Sequence, residues 1–343
     1  MNAYKFLSQY AYRAQRVLWK AMRMGYPRHL HVRPDTAGIY HCVSRCVRRA
    51  FLCGEDTVTG RSFEHRKQWV EDRILKLGKI FAVAVHSYAV MSNHFHVILE
   101  TGPSTPWQWS DEEVARRWLS LSAKTFDNDP VLTTHVAALV AQPERLFVLR
   151  QRLGSLSWYM RYLKEPIARQ ANREDECSGR FWEGRFRTQT LLDDSAVLAS
   201  MVYVDLNPIR AGIADSPENS HHTSACARSQ RSENARDMII EPLASSIRSE
   251  IRMISAAQYL ELIDWTTRTL HPHKNATVTG EPPPILTRLG LRTQQWCLQV
   301  SATESHYRRA IGQLEVLQAA AHHAGLRWIR GIGIARRLQR LAG

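Results

Sequence analysis

The chain contains few cysteines, and their spacing does not indicate a disulfide framework or a zinc cluster. No two of the six form a C-x-x-C pair; they are Cys42, Cys46, Cys53, Cys177, Cys226 and Cys297. The spacing of the first three suits zinc poorly, and Cys42 and Cys46 are better explained as small apolar residues on one face of a strand. At 343 residues the chain can bury a core without cross-links.

The sequence also lacks a signal peptide, an apolar run long enough to cross a membrane, and an internal repeat. Together with the cysteine pattern, these absences favour a cytoplasmic protein with no membrane partner. The length allows two domains, or one domain with substantial additions.

Acidic residues are missing from both ends of the chain, whose formal net charge is +14. Residues 1–34 contain none, although seven basic residues there are interleaved with tyrosine and tryptophan, and none follows Glu315. Basic side chains release counterions from nucleic acid, and aromatic rings stack on unpaired bases. Both ends therefore favour a nucleic-acid partner. A solvated basic helix face, or at the N terminus a membrane-surface helix, is the alternative.

Among the features that are present, the run Met91-Ser-Asn-His-Phe-His-Val-Ile-Leu-Glu100 is the most informative. Its composition predicts a strand, along which side chains alternate between faces. His94 and His96 then share one face, and Phe95 and its neighbours point into a core. Two neutral imidazoles on one face form half of a metal site, although such a pair also occurs on ordinary strand surface.

Three strands and a helix are predicted around this motif. Residues 38–47 favour a strand because they are rich in β-branched and aromatic residues. Residues 62–77 have the apolar spacing of a helix packed on a sheet, and residues 79–90 favour a second strand. The short link at 91–93 predicts that this strand forms an antiparallel hairpin with the strand that follows.

The rest of the chain is predicted to be mostly helical. Residues 101–145 are interpreted as an insertion that becomes helical at Ser110, and residues 144–172 as a helix broken at Pro166. Another helix begins at a cap, Asp193 or Asp194, and ends before Pro208. We expect residues 35–215 to form the main domain, residues 216–237 an exposed linker, and residues 238–343 a basic helical region.

Arginine and aromatic side chains are concentrated in two further segments, beside the first strand and between residues 177 and 190. Such clusters suit the backbone and unpaired bases of single-stranded DNA. The candidate nucleic-acid-binding residues are Arg45, Arg48, Arg49, Arg180, Arg185, Arg187 and Trp182.

The helix before Pro208 presents a face of small and polar residues that carries one phenol. Ala196, Ala199, Ser200 and Tyr203 share this face, with Asn207 one turn further on. An uncrowded phenol can reach a phosphate, and an asparagine can offer a carbonyl oxygen to a divalent cation. Pro208 disfavours helical geometry at Asn207 and so distorts that spacing.

Three motifs together resemble the REP-associated tyrosine transposases, which are single-tyrosine HUH endonucleases. They are Met91-Ser-Asn-His-Phe-His, Ser178-Gly-Arg-Phe-Trp-Glu-Gly-Arg-Phe and Tyr203-Val-Asp-Leu-Asn-Pro-Ile-Arg-Ala-Gly212. The resemblance spans residues 36–215 and implies an α+β fold: a ferredoxin-like antiparallel sheet with helices on one face. Ser92 departs from it, since many members have proline there. The helical insertion and the helical C-terminal extension are also outside the family pattern.

The resemblance also implies an activity and a set of site residues. His94, His96 and Asn207 would hold Mg²⁺ or Mn²⁺, and Tyr203 would be the nucleophile that cuts and transfers single-stranded or hairpin DNA through a 5′-phosphotyrosine. Such an enzyme would be associated with the nucleoid, as a monomer or a homodimer. Two rivals stay open: a non-catalytic hairpin-binding regulator, and a hydrolase that uses water. Tyr159 and Tyr162 are alternative nucleophiles, although packing or phosphate contact suits them better.

Overall fold

The computed structural model of the chain describes residues 35–47, 53–55, 60–122, 130–230, 240–247, 254–270, 281–307 and 309–342. The fold class is α+β, as predicted, with a six-stranded sheet in the described residues. The predicted basic segment 1–34 lies outside these residues, as do Arg48 and Arg49. In the part of the chain that is described, no helix has the length and apolar character needed to cross a membrane.

Four strands form the antiparallel centre of the sheet. Strand β1 (Gly38–Arg45) is followed by helix α1 (His65–Ile80) and strand β2 (Val83–Val90), which forms the predicted hairpin with β3 (His94–Thr101). Strand β4 (Arg187–Leu191) pairs with the other side of β1, so the order is β2-β3-β1-β4. A β-α-β-β-α-β chain in this order has the ferredoxin-like arrangement that the sequence predicted.

The long connection from β3 to β4 is helical, as predicted for residues 101–145 and for residues 144–172. It contains α2 (Asp111–Leu119), α3 (Pro130–Val140), α4 (Pro143–Leu153) and α5 (Leu156–Glu174). The Ser110 hydroxyl accepts a hydrogen bond from the Glu113 N–H, which confirms the predicted start of α2.

The chain after β4 is also mostly helical. Its elements are α6 (Asp194–Asp205), α7 (Asn207–Arg210), α8 (Ser224–Ser229), β5 (Ala244–Ser245), α9 (Ala256–Leu270), α10 (Pro284–Arg288), α11 (Thr293–Ser305), β6 (Ala310–Ile311), α12 (Leu314–His323) and α13 (Ile332–Ala342). The Asp193 carboxylate accepts a hydrogen bond from the Ala196 N–H, so the predicted cap of α6 is confirmed. Strand β5 pairs antiparallel with β2, and β6 pairs parallel with β4.

Helices cover both faces of the sheet, which corrects the prediction that they lie on one face. Alternate residues of β1 and β3, such as Cys42 and Val97, form a core with α1 and α5. On the other face, Ile98 and Leu191 lie in a second core with α6 and the C-terminal helices. Each face of the central strands is thus buried by a different set of helices.

Pro166 does not break its helix, contrary to the sequence prediction, because α5 continues from Leu156 to Glu174. A proline lacks the N–H that would bond to the carbonyl four residues earlier, here that of Tyr162. The Arg73 Nε of α1 donates to this carbonyl at 3.1 Å. A side chain from the neighbouring helix therefore replaces the missing hydrogen bond.

Part of the predicted exposed linker is packed into the structure, which is a third correction. Residues 224–229 form α8, and both Ser224 and Arg228 are buried. The Asp205 carboxylate accepts hydrogen bonds from the Ser224 hydroxyl, the Ala225 N–H and the Tyr259 hydroxyl. This one buried carboxylate thus joins α6 to α8 and α9.

We expect Asp205→Ala to lower the free energy of unfolding by about 3–5 kcal/mol, because it leaves buried donors without their acceptor and removes the negative charge that attracts the buried Arg228. Urea denaturation of the full chain measures the change. The control is Asp264→Ala, which breaks an exposed pair with Arg268 on α9 and should cost less than about 1 kcal/mol. Equal losses in the two variants would contradict this role of Asp205.

Candidate active site

The sheet register brings polar side chains of three strands to the face covered by α6. On β3, His94 and His96 share this face with Ile98, while Phe95 and Val97 lie in the opposite core. His41 of β1 pairs with Ile98 on one side and with Gln189 of β4 on the other. Because directly paired residues point to the same face, His41 and Gln189 lie beside the histidine motif.

Three imidazoles form a cluster on this face. The ring centroids of His94 and His96 are 4.9 Å apart, and those of His41 and His96 are 5.1 Å apart in a stacked arrangement. His41 Nε2 and His96 Nδ1 form a hydrogen bond of 2.9 Å. His41 and His96 are fully buried, so the cluster is an interior feature and not ordinary strand surface.

The three imidazoles are neutral at neutral pH. Burial lowers the pKa of His41 and of His94 to about 4, because the charged form of an imidazole is costly away from water. Burial also holds the pKa of His96 well below its ordinary value, with further contributions from His94 and His41. Neutral imidazole is the form that binds metal ions.

The Tyr203 side chain lies against this cluster, but it is buried, which corrects the prediction of an uncrowded helix face. Its assignment as a nucleophile stays a prediction. Its ring centroid is 6.0 Å from that of His96 and 6.2 Å from that of His41. The guanidinium of Arg210 lies over the Tyr203 ring, 4.8 Å from its centroid. The residue is 2% exposed, and burial raises the pKa of its phenol, with the Glu304 charge as the next cause.

Glu304 of helix α11, in the C-terminal region, contacts Tyr203. The Tyr203 hydroxyl donates a hydrogen bond to Glu304 Oε2. Arg187 pairs with the other carboxylate oxygen at 3.6 Å. Burial opposes the charge of Glu304, but Arg187 and the Tyr203 hydroxyl outweigh it and lower the pKa of the carboxyl.

Sequence reasoning assigned no role to four of these residues: His41, Gln189, Arg210 and Glu304. His41 could have been found from the sequence, because alternation along the strand places it on the face opposite to Tyr40 and Cys42. Glu304 could not have been found, because it is 101 positions from Tyr203 in a region without a recognised motif.

Asn207 begins α7, directly after the Tyr203 helix. Its amide nitrogen donates to the backbone carbonyls of Tyr203 at 3.0 Å and of Val204 at 3.4 Å. The amide oxygen, which is the atom that a cation would bind, takes no part in these bonds. The assignment of Asn207 as a metal ligand stays a prediction.

The candidate DNA-binding residues fall into two groups. Arg180 and Arg185 are exposed, as a phosphate-binding residue needs to be. Arg45 is 9% exposed at its side chain and pairs with Glu183, whereas Arg187 lies beside Glu304 within the site. Trp182 packs edge-on against Phe95 in the core and is 8% exposed, so its ring is not placed to stack on a base.

The site offers some, but not all, of the ligands that a metal ion needs. The described residues contain no group of three or more His, Cys, Asp or Glu placed to hold a metal ion. His94 and His96 do suit one, because they are neighbouring, neutral imidazoles. In addition, Nε2 of His96 is buried without a hydrogen-bond partner. A cation here would need a further ligand such as the Asn207 oxygen.

Comparisons with known proteins add little to this geometry. No protein-family model and no curated protein matches the chain. A solved structure of a REP-associated tyrosine transposase bound to a REP hairpin is similar to 68% of this chain and to 100% of its own chain. The sequence identity is 12% and the TM-score 0.36, values at which the likeness gives no support to a shared activity.

We expect the metal-free protein to lose stability as the pH falls below about 6.5. Between this value and the folded-state pKa of His41, about 4, the unfolded chain binds more protons than the folded chain. The free energy of unfolding therefore falls by up to about 1.4 kcal/mol per pH unit for each such imidazole. Urea denaturation in EDTA between about pH 7.5 and 4.5 measures the slope.

His41→Asn should flatten this pH dependence because it removes one of the buried titrating groups. His135→Asn is the control, since His135 lies exposed on α3 and its loss should leave the slope unchanged. A slope that His41→Asn does not alter would contradict the burial argument.

Proposed function

We propose that the chain is a metal-dependent endonuclease and strand transferase that acts on single-stranded DNA at hairpins, with Tyr203 as its nucleophile. The observation that supports this most strongly is the placement of the Tyr203 ring about 6 Å from the rings of His96 and His41, on the same face of the sheet. His94 and His96, with Asn207, would hold Mg²⁺ or Mn²⁺, which when bound offsets the charge of a phosphate and makes it a better electrophile.

Two guanidinium groups beside Tyr203 suit a phosphodiester substrate. Arg187 pairs with Glu304, and Arg210 lies over the Tyr203 ring. The side chains of Arg187 and Glu304 are 24% and 27% exposed, whereas Tyr203 is almost fully buried. A phosphate would therefore reach the phenol from the side of this ion pair, with Arg187 as a ready partner for its oxygens.

Glu304 supplies the proton acceptor that a tyrosine nucleophile needs. A phenol is a weak nucleophile at its free pKa near 10, and burial raises the pKa of Tyr203 further. Its proton already forms a hydrogen bond to Glu304, so no rearrangement is needed before transfer. The phenolate oxygen would attack phosphorus and form the 5′-phosphotyrosine as the bond to the 3′ oxygen breaks. That oxygen would take a proton from solvent and leave as a free 3′-OH.

The phosphotyrosine retains the energy of the broken phosphodiester. Attack by another 3′-OH on this link rejoins strands without ATP and returns the phenol, which makes the chemistry suitable for strand transfer. The exposed Arg180 and Arg185 would contact the backbone of the DNA outside the site.

Tyr203→Phe should abolish a covalent adduct between the protein and DNA, since it removes the attacking oxygen. The substrate is a pool of single-stranded oligonucleotides with an imperfect hairpin and randomised flanks, incubated with Mg²⁺ or Mn²⁺ and resolved in denaturing gels. A 3′-end label should stay on the protein, and a 5′-end label should leave with the released strand. The control Tyr162→Phe, at a partly exposed tyrosine outside the site, should keep the adduct.

The same assay separates the two rival functions. Hairpin binding without an adduct under either metal would favour a non-catalytic regulator. Cleavage to two free ends that Tyr203→Phe does not affect would favour a hydrolase that uses water.

Glu304→Gln should slow adduct formation by about 10²–10⁴-fold, because glutamine has the same size but is not a base. Single-turnover rates of adduct formation measure the effect across a pH series. The slowing should be largest near neutral pH and smaller at alkaline pH, where hydroxide can take the phenol proton. Glu315→Gln, an exposed change on α12, is the control. A Glu304→Gln rate within about twofold of the unmodified chain would exclude Glu304 as the proton acceptor.

A further inference from the structure

Gln189 is held in one orientation by the backbone at the end of α11. Its amide nitrogen donates to the carbonyl of Thr303 at 3.0 Å and to that of Tyr307 at 3.1 Å. Both amide protons are thereby used, since a carbonyl can only accept. The amide oxygen of Gln189 must then be the atom that faces His41, which its 2.9 Å contact with His41 Nδ1 confirms.

This orientation decides which nitrogen of His41 carries the proton. An amide oxygen has no proton to give, so His41 Nδ1 must be the donor. His41 is fully buried, and its hydrogen-bond partners Gln189 and His96 carry no negative charge that would stabilise an imidazolium, so the ring is neutral and carries one N–H. His41 Nε2 is therefore a lone pair, which can only accept a hydrogen bond.

The same reasoning extends one ring further, to His96. His41 Nε2 accepts the 2.9 Å hydrogen bond, so His96 Nδ1 is the donor and carries the proton of that ring. The remaining nitrogen, His96 Nε2, is then an unprotonated lone pair. It is buried and has no hydrogen-bond partner in the described residues, an arrangement that costs free energy unless a ligand binds there.

His94 reaches the same state by a shorter route. Its Nδ1 lies 2.5 Å from the side-chain oxygen of Asn93, which can only accept. The proton of His94 is therefore on Nδ1, and its Nε2 is the free lone pair. His94 and His96 are thus both unprotonated at Nε2, although different partners hold the two rings.

We propose that Gln189 and His41 are positioning residues that hold His96 in the tautomer able to bind a divalent cation through Nε2. The proposal rests on the metal site of the proposed function and extends it to residues that do not touch the metal. The series of hydrogen bonds runs from the Thr303 and Tyr307 carbonyls through Gln189 and His41 to His96. Outer partners of this kind fix the ring orientation and basicity of metal-binding histidines.

The test measures metal binding and not catalysis. The full chain is titrated with MnCl₂, and free Mn²⁺ is followed by electron paramagnetic resonance. Gln189→Met removes the acceptor for His41 while keeping the side-chain length, and His41→Phe keeps a ring but removes the acceptor for His96. Both should raise the Kd for Mn²⁺ by about 10–100-fold.

Gln299→Met is the matched control. Gln299 is as buried as Gln189 and also lies beside α6, where its amide nitrogen donates to the Ser195 hydroxyl. It has no part in the hydrogen bonds that lead to His96. The same substitution there should leave the Kd within about twofold, and circular dichroism checks that each variant is folded.

A second readout follows the tautomer directly. In metal-free protein labelled with ¹⁵N-histidine, long-range ¹⁵N–¹H couplings should show His96 protonated at Nδ1, with the signal assigned from His96→Gln. In Gln189→Met and His41→Phe the Nε2-protonated form should appear, because Nδ1 has lost its fixed acceptor.

The outcomes separate this proposal from the proposed function. If the unmodified chain binds Mn²⁺ and both variants bind it equally well, the positioning role is wrong and the metal site stands. If His96 is protonated at Nε2 in the unmodified chain, the positioning role is also wrong. If the unmodified chain binds no Mn²⁺, the metal-dependent function fails and the positioning role fails with it.

Discussion

The site depends on one constraint: three imidazoles and a phenol are buried between a sheet and two helices, so nearly every polar atom among them needs a partner in the protein. Gln189 satisfies His41, His41 satisfies one nitrogen of His96, and Glu304 satisfies Tyr203. Each of these bonds joins a different pair of elements. The polar contacts therefore fix how β1, β3, β4, α6 and α11 sit against one another at this place, and Nε2 of His96 is the conspicuous exception.

Helix α11 gives the C-terminal region a part in the site that its composition does not indicate. The carbonyls of Thr303 and Tyr307 orient Gln189, and Glu304 between them accepts a hydrogen bond from the Tyr203 hydroxyl. The same helix packs on α6 within the second core. One segment of about five residues therefore contacts Gln189, which holds His41, on one side and Tyr203 on the other. A shift of α11 would disturb both contacts together.

The parts of the fold that follow from local periodicity could be predicted from the sequence. Alternation along a strand put His94 and His96 on one face, and the capping aspartate located the start of the Tyr203 helix. Features set by distant contacts could not be predicted. Pro166 is tolerated because Arg73 reaches the carbonyl of Tyr162, and the segment around Ser224 is buried because Asp205 binds it. Glu304 belongs with these, since only the tertiary fold brings it to Tyr203.

In the proposed mechanism, the contact between Tyr203 and Glu304 has two opposing effects. It covers the hydroxyl, yet it also places a base on the proton that must leave. Arg187 makes the two effects compatible. Its guanidinium now pairs with the Glu304 carboxylate, and it would be able to bind a phosphate once that carboxylate has taken the proton and lost its charge. Proton transfer from the phenol would then weaken the Arg187–Glu304 pair at the step in which a phosphate needs Arg187. The closed arrangement is therefore compatible with a site that opens as its substrate enters.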